Sequence, residues 1–116
     1  MYTANSPKEL KKMLEEGKSP IYTTDSKTIK VVEALESIKS KGVVGTAKDE
    51  IKKMFLRILT GMTKPMGIIS DTTILIIVGM SLTALVSLYA LYKEKNPQIE
   101  YEEDVKGKRR IKIEIR

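Results

Sequence analysis

The chain has no cysteine, no histidine and no tryptophan, and only one phenylalanine. Without cysteine there are no disulfides, thiol nucleophiles or thiolate metal ligands. Without histidine there is neither an imidazole general base nor the commonest zinc ligand. Charge of a single sign is also missing: 21 basic and 15 acidic residues are mixed along the chain and leave a net charge of only +6. Such a balance suits anionic headgroups beside a bilayer better than nucleic acid. The segment GVVGTAK, 42–48, lacks the Gly-Lys-Ser/Thr ending of a phosphate loop. Its two glycines enclose two valines, where a loop that clamps an RNA backbone would carry basic residues. No catalytic residue, metal site or cofactor is expected, no small-molecule substrate is implied, and nucleic acid is a poor fit.

What the chain does have is the uncharged run TTILIIVGMSLTALVSLYALY, residues 72–92, inside a sequence that is 31% Asp, Glu, Lys and Arg. As a helix, such a run extends roughly 31 Å, about the thickness of a hydrocarbon core. It lies too far from the N-terminus for a signal peptide, and the rest of the chain offers few apolar partners to enclose it. The expectation is therefore a single transmembrane helix over 72–92 with the bilayer as a partner. Gly79, Thr83 and Ser87, four residues apart, form a small-residue stripe for helix association. Tyr89, Tyr92, Lys93 and Lys95 are the interfacial anchors at its far end. Ser81, Thr83 and Ser87 are the polar groups within the run, which favours passive anchoring over a pore.

Ahead of the run, residues 1–45 read as a small α-β-α head. In SPKELKKMLEEG, Ser6 caps, Pro7 opens the first turn, Glu9 completes a capping box and Gly17 stops the helix, with Leu10, Met13 and Leu14 as its apolar stripe. SPIYTTD, 19–25, reads as a short strand. A second helix opens at Asp25 or Ser26, with Ile29, Val32, Leu35 and Ile38 inward and Lys30, Glu33, Glu36 and Lys39 toward water. Residues 46–62 form an amphipathic helix whose apolar face is Ile51, Met54, Phe55, Ile58, Leu59 and Met62, amid Lys48, Lys52, Lys53 and Arg57. It is expected to lie at the membrane interface, or else to complete the core of the head. Pro65 and Gly67 make 63–71 a bend.

In the basic tail, 93–116, the period changes to 2. Ile111, Ile113 and Ile115 alternate with charged residues, and Ile99, Tyr101 and Val105 form the facing row of a β-hairpin. Glu102 and Asp104 are expected opposite Arg110 and Lys112. Lys106, Lys108, Arg109 and Arg110 make a basic patch at the turn. A lone hairpin is marginal in water and leaves its isoleucines uncovered, so further copies of the chain are expected to cover them.

The expected fold class is thus a mainly α membrane protein with the α-β-α head, amphipathic helix, span and hairpin in series. Its expected role is non-enzymatic: a single-pass, self-associating structural or scaffolding subunit of a membrane assembly or virion, with a protein partner at the N-terminal unit. Two alternatives are a membrane-perturbing effector or small channel, and a basic membrane adaptor for acidic or nucleic-acid partners. Four basic residues before the run and seven after it favour a cytoplasmic tail, while the length of the head favours a cytoplasmic N-terminus. The second argument is the one preferred.

Overall fold

Ser6 stops the extended backbone (φ −156°, ψ 159°) and its hydroxyl accepts the Glu9 N–H, so helix α1 (Pro7–Glu15) starts with one of its free amides satisfied. The Glu9 carboxylate accepts the Asn5 N–H at 2.7 Å, one residue upstream of the cap. At the other end Gly17 takes φ +69°, Lys18 N–H reaches Met13 C=O and Gly17 N–H reaches Leu14 C=O, which is the Schellman closure. Strand β1 (Tyr2–Thr3) precedes α1 and strand β2 (Ile21–Thr23) follows it; the two pair in parallel. Asp25 then caps helix α2 (Ser26–Ser40). Its carboxylate accepts both the Thr28 N–H at 2.9 Å and the Thr28 hydroxyl at 2.7 Å, and so satisfies a fully buried side chain. This is a computed structural model, and it describes residues 2–40, 51–53, 55, 75–76, 78–103 and 106–115.

Helix α3 (Leu82–Lys95) leads through Asn96 and Pro97 into strand β3 (Gln98–Glu103), and strand β4 (Arg109–Glu114) returns antiparallel to it. The hairpin does not stand alone. β4 pairs antiparallel with β2, setting Ile21 opposite Ile113 and Thr23 opposite Ile111, and the mixed sheet runs β1-β2-β4-β3. Ser19 closes the same seam, its hydroxyl accepting the Ile115 N–H at 2.9 Å. Alternation gives the sheet two unlike faces. Ile21, Thr23, Ile111 and Ile113 are fully buried on one. Tyr22, Glu100, Glu102, Arg110, Lys112 and Glu114 share the other, as the cross-strand register dictates.

The buried face belongs to one continuous core with Leu10 and Leu14 of α1, Val32, Leu35 and Ile38 of α2, and Leu85, Leu88 and Tyr92 of α3. Fully burying each such side chain contributes about 1.5–3 kcal/mol, so the core needs all three helices. Ile51 and Phe55, both helical and fully buried, join it. Their side of the amphipathic segment is thus core and not membrane interface. Met54, Ile58, Leu59 and Met62 lie outside the described residues, as does the 63–71 bend.

The expected span over 72–92 is overturned. Leu75, Ile76 and Val78 are helical, but Gly79 takes φ +82° and the Ser81 hydroxyl starts α3 afresh by accepting the Ala84 N–H at 3.1 Å. The helix that follows has 14 residues, about 21 Å of length against a hydrocarbon core of about 30 Å. Among the described residues no helix is long and apolar enough to cross a membrane. The fold is therefore a mixed sheet with helices and not a mainly α single-pass membrane protein, and the single-pass membrane localisation with its choice of sides falls too. Apolar partners for the run were present after all. They lie in α1, in a broad buried surface of α2 that includes Val31 and Ala34, and in the hairpin isoleucines.

The turn gives a test whose sign discriminates. In an uninterrupted helix, Gly79→Ala would stabilise by about 1 kcal/mol. At the observed positive φ, with nothing within 4 Å of the added Cβ, the substitution is expected to destabilise by about 1–2 kcal/mol. Urea unfolding of the variant reads that sign directly.

Candidate functional site

Two groups of polar side chains stand out, one structural and one open. The structural group joins α2 to α3 and the hairpin. The Tyr92 ring is fully buried and its hydroxyl donates to the Glu36 carboxylate. Lys39 hydrogen-bonds the Asn96 side chain and lies 5.7 Å from the centre of the Tyr92 ring. Arg109 reaches Glu33 at 2.5 Å and stands 5.8 Å from the Tyr101 ring. Burial, and then the Glu36 hydrogen bond and charge, hold the Tyr92 phenol well above its ordinary range. Partial burial with Glu33 and Glu36 nearby also raises the Tyr101 phenol, against the opposing pull of Arg109. Glu33, Glu36 and Lys39, read from the sequence as water-facing, are in fact the side chains that tie α2 to elements far along the chain.

The open group lines a cleft of about 540 Å³ between α1 and the start of α3. One wall is the polar side of α1: Lys8, Glu9, Lys11, Lys12 and Glu15. The opposite wall is Leu75, Gly79, Met80, Ser81 and Ala84. Lys11 pairs with Glu15 at 2.5 Å and the Glu9 carboxylate is held by the Asn5 amide, so both carboxylates of the cleft are engaged. Lys8 and Lys12, one helical turn apart and exposed, have no ion-pair partner among the described residues. Leu75 is 49% exposed and its neighbour Ile76 is 73% exposed, which is unusual for side chains of that size. The amino end of α3 adds partial positive charge to the same mouth. The result is an apolar wall facing two available ammonium groups, within the volume range of ordinary ligand pockets.

The sequence-predicted residues lie elsewhere. Of the association stripe, Gly79 sits in the turn while Thr83 and Ser87 are exposed on α3, so the three do not share one helix. Of the anchors, Tyr89 and Tyr92 are buried in the protein; Lys93 is exposed and Lys95 half-buried. In the hairpin row, Ile99 faces Ile113 and Tyr101 faces Ile111, with Ile115 half-buried beyond them. Val105 and Asp104 lie outside the described residues. β2 covers the free side of β4, so the isoleucines no longer call for another copy of the chain to cover them. The basic patch is divided. Arg110 is forked onto Glu102 and Arg109 is bound to Glu33, while Lys106 and Lys108 are exposed at the turn. Among the described residues no group of three acidic side chains is arranged to hold a metal ion.

Sequence reasoning missed the cleft. Its only local sign was the pair of lysines four residues apart in KELKK, and the opposite wall arrives from more than sixty positions away. Comparison with family models, with curated proteins and with solved structures gave no match.

Tyr92→Phe keeps the ring and removes the hydrogen bond to Glu36. It is expected to cost about 1–2 kcal/mol at neutral pH. Because the folded phenol is raised above the unfolded value of about 10, this contribution is complete below about pH 10 and declines as pH rises beyond it. Urea midpoints measured from pH 7 to 11 are expected to fall less steeply for Tyr92→Phe than for the wild type. Parallel declines would count against the contact.

Proposed function

We propose that the protein is a non-enzymatic binding module that takes an acidic, partly apolar segment of a protein partner into the cleft between α1 and the start of α3. The observation that carries this reading is that Lys8 and Lys12, which have no ion-pair partner among the described residues, share the cleft with Leu75, Met80 and Ala84 on its opposite wall. An ammonium group one turn from another suits carboxylates at the same spacing on a bound segment, and the apolar wall gains by covering that segment's other side. Lys11 is paired with Glu15 and the Glu9 carboxylate is held by the Asn5 amide, so three lysines against two glutamates leave the cleft with a positive balance. The lysines also rest on a capped helix that is packed through Leu10 and Leu14, which fixes their positions before binding.

A fluorescein-labelled peptide with leucines and glutamates at helical spacing serves as the probe, with a leucine-lysine peptide of equal length as control. Anisotropy titration is expected to give saturable binding of the acidic peptide that weakens with added salt, and little binding of the control. The double variant Lys8→Glu/Lys12→Glu is expected to bind the acidic peptide at least about tenfold more weakly. Both sites are exposed; a glutamate at position 8 suits the first turn of a helix while one at position 12 opposes the last, so circular dichroism of the variant is matched to the wild type before titration, and Lys8→Ala/Lys12→Ala, which adds no acidic charge, is expected to weaken binding in the same direction. Equal affinity for the two peptides, or for the two proteins, would overturn the reading.

A further inference from the structure

We infer that Glu15 sets how many carboxylates the cleft accepts: by holding Lys11, it makes the cleft a reader of two carboxylates where its lysines could meet three. The inference rests on the reading of the cleft given above and concerns the chemistry of its occupant. Lys8, Lys11 and Lys12 all line the cleft from α1, and so do Glu9 and Glu15. The two carboxylates are not equivalent. Glu9 accepts the backbone N–H of Asn5 at 2.7 Å, a contact that belongs to the start of the helix. Glu15 stands one turn beyond Lys11 and pairs with its ammonium group at 2.5 Å.

An exposed ion pair of this spacing adds little to the stability of its helix. Its effect falls on the ligand instead. A third ligand carboxylate that reaches Lys11 takes the place of Glu15, and the displaced carboxylate stays in the same cleft to repel it. One exposed pair is exchanged for another, which is close to neutral. Lys8 and Lys12, with no ion-pair partner among the described residues, require no such exchange, so the first two carboxylates keep their full attraction. Glu15 is also a residue the fold can do without. It is the last residue of α1, where a negative charge opposes the helix dipole, and the closure at Gly17 is made by backbone groups. Glu15→Gln is therefore expected to keep the circular dichroism of the wild type.

The test uses the full chain and three fluorescein-labelled peptides that share one leucine pattern and differ only on their polar side. The first carries glutamates at positions i and i+4; the second adds a third glutamate at i+3 and the third adds it at i+1, with glutamine in its place otherwise. The two additions serve the two directions in which a bound helix can run, and the tighter of them is compared with the first. In anisotropy titrations at one ionic strength, the added glutamate is expected to change wild-type affinity by less than about twofold and to raise that of Glu15→Gln about three- to fivefold. Lys11→Gln/Glu15→Gln is expected to lose the gain. Glu9→Gln removes the same charge from the cleft and keeps the capping contact, which glutamine also makes, so it is expected to tighten all three peptides alike. If Glu15→Gln likewise tightens all three alike, net charge is the whole effect and the proposal falls. It falls too if the added glutamate strengthens wild-type binding as much as it does the variant's; in both cases the binding of the first peptide leaves the reading of the cleft standing. A wild type that binds none of the peptides overturns that reading and the role of Glu15 together.

Discussion

The pairing of β2 with β4 is the contact on which the rest of this molecule depends. It sets Ile21 against Ile113 and Thr23 against Ile111, all four fully buried. Through it a three-residue strand from the head becomes an inner strand of the sheet, and a hairpin of marginal intrinsic stability gains a third strand and a helical cover. The helices could not otherwise share one core. α1 and α2 flank β2 in sequence and α3 runs directly into β3, so joining β2 to β4 brings the two halves of the apolar surface together. Ser19, bonded to the Ile115 amide, extends the same seam by a residue.

That pairing also explains what was legible in the sequence and what was not. Features set by neighbours along the chain could be read: the Ser6 cap with Pro7 behind it, the stop at Gly17, the opening of α2 at Asp25, and the change to alternation at the hairpin. Each is governed by a hydrogen bond or a periodicity within a few residues. The hairpin register was readable only in part: Glu102 does stand opposite Arg110, but Lys112 stands opposite Glu100 and not Glu102 or Asp104, because nothing local to the tail fixes how many residues the turn takes up. The union of β2 and β4 left no local trace. Without it the hairpin seemed to need other copies, and residues 72–92 seemed to lack apolar neighbours.

The misreading of residues 72–92 has a second, more local cause. An isolated glycine inside an apolar helical pattern is commonly tolerated, and hydroxyls within a span can bond their own helix, so neither Gly79 nor Ser81 interrupts the pattern by composition. Together they make a stop followed by a start: a residue at positive φ, then a serine whose side chain accepts an amide three positions on. The apolar length of α3 comes from its position against α1, α2 and the sheet. Its exposed side is Thr83, Ser87, Ala90, Lys93 and Glu94, small or polar throughout. The candidate cleft arises at the same break, because the turn at Gly79 carries Met80, Ser81 and Ala84 to the side of α1. No pattern within either segment announces that meeting.

The order of the strands has a consequence for how the molecule is assembled in time. β4 lies inside the sheet, yet its partners in β2 are 92 positions earlier, as the pairing of Ile21 with Ile113 shows. Contacts of such sequence separation must close a large loop before they yield any stabilisation, and they slow folding accordingly. Until β4 docks, β2 presents an open edge and α2 and α3 present apolar surface to solvent. A seam that closes across so long a loop leaves that surface open to neighbouring chains for as long as the closure takes.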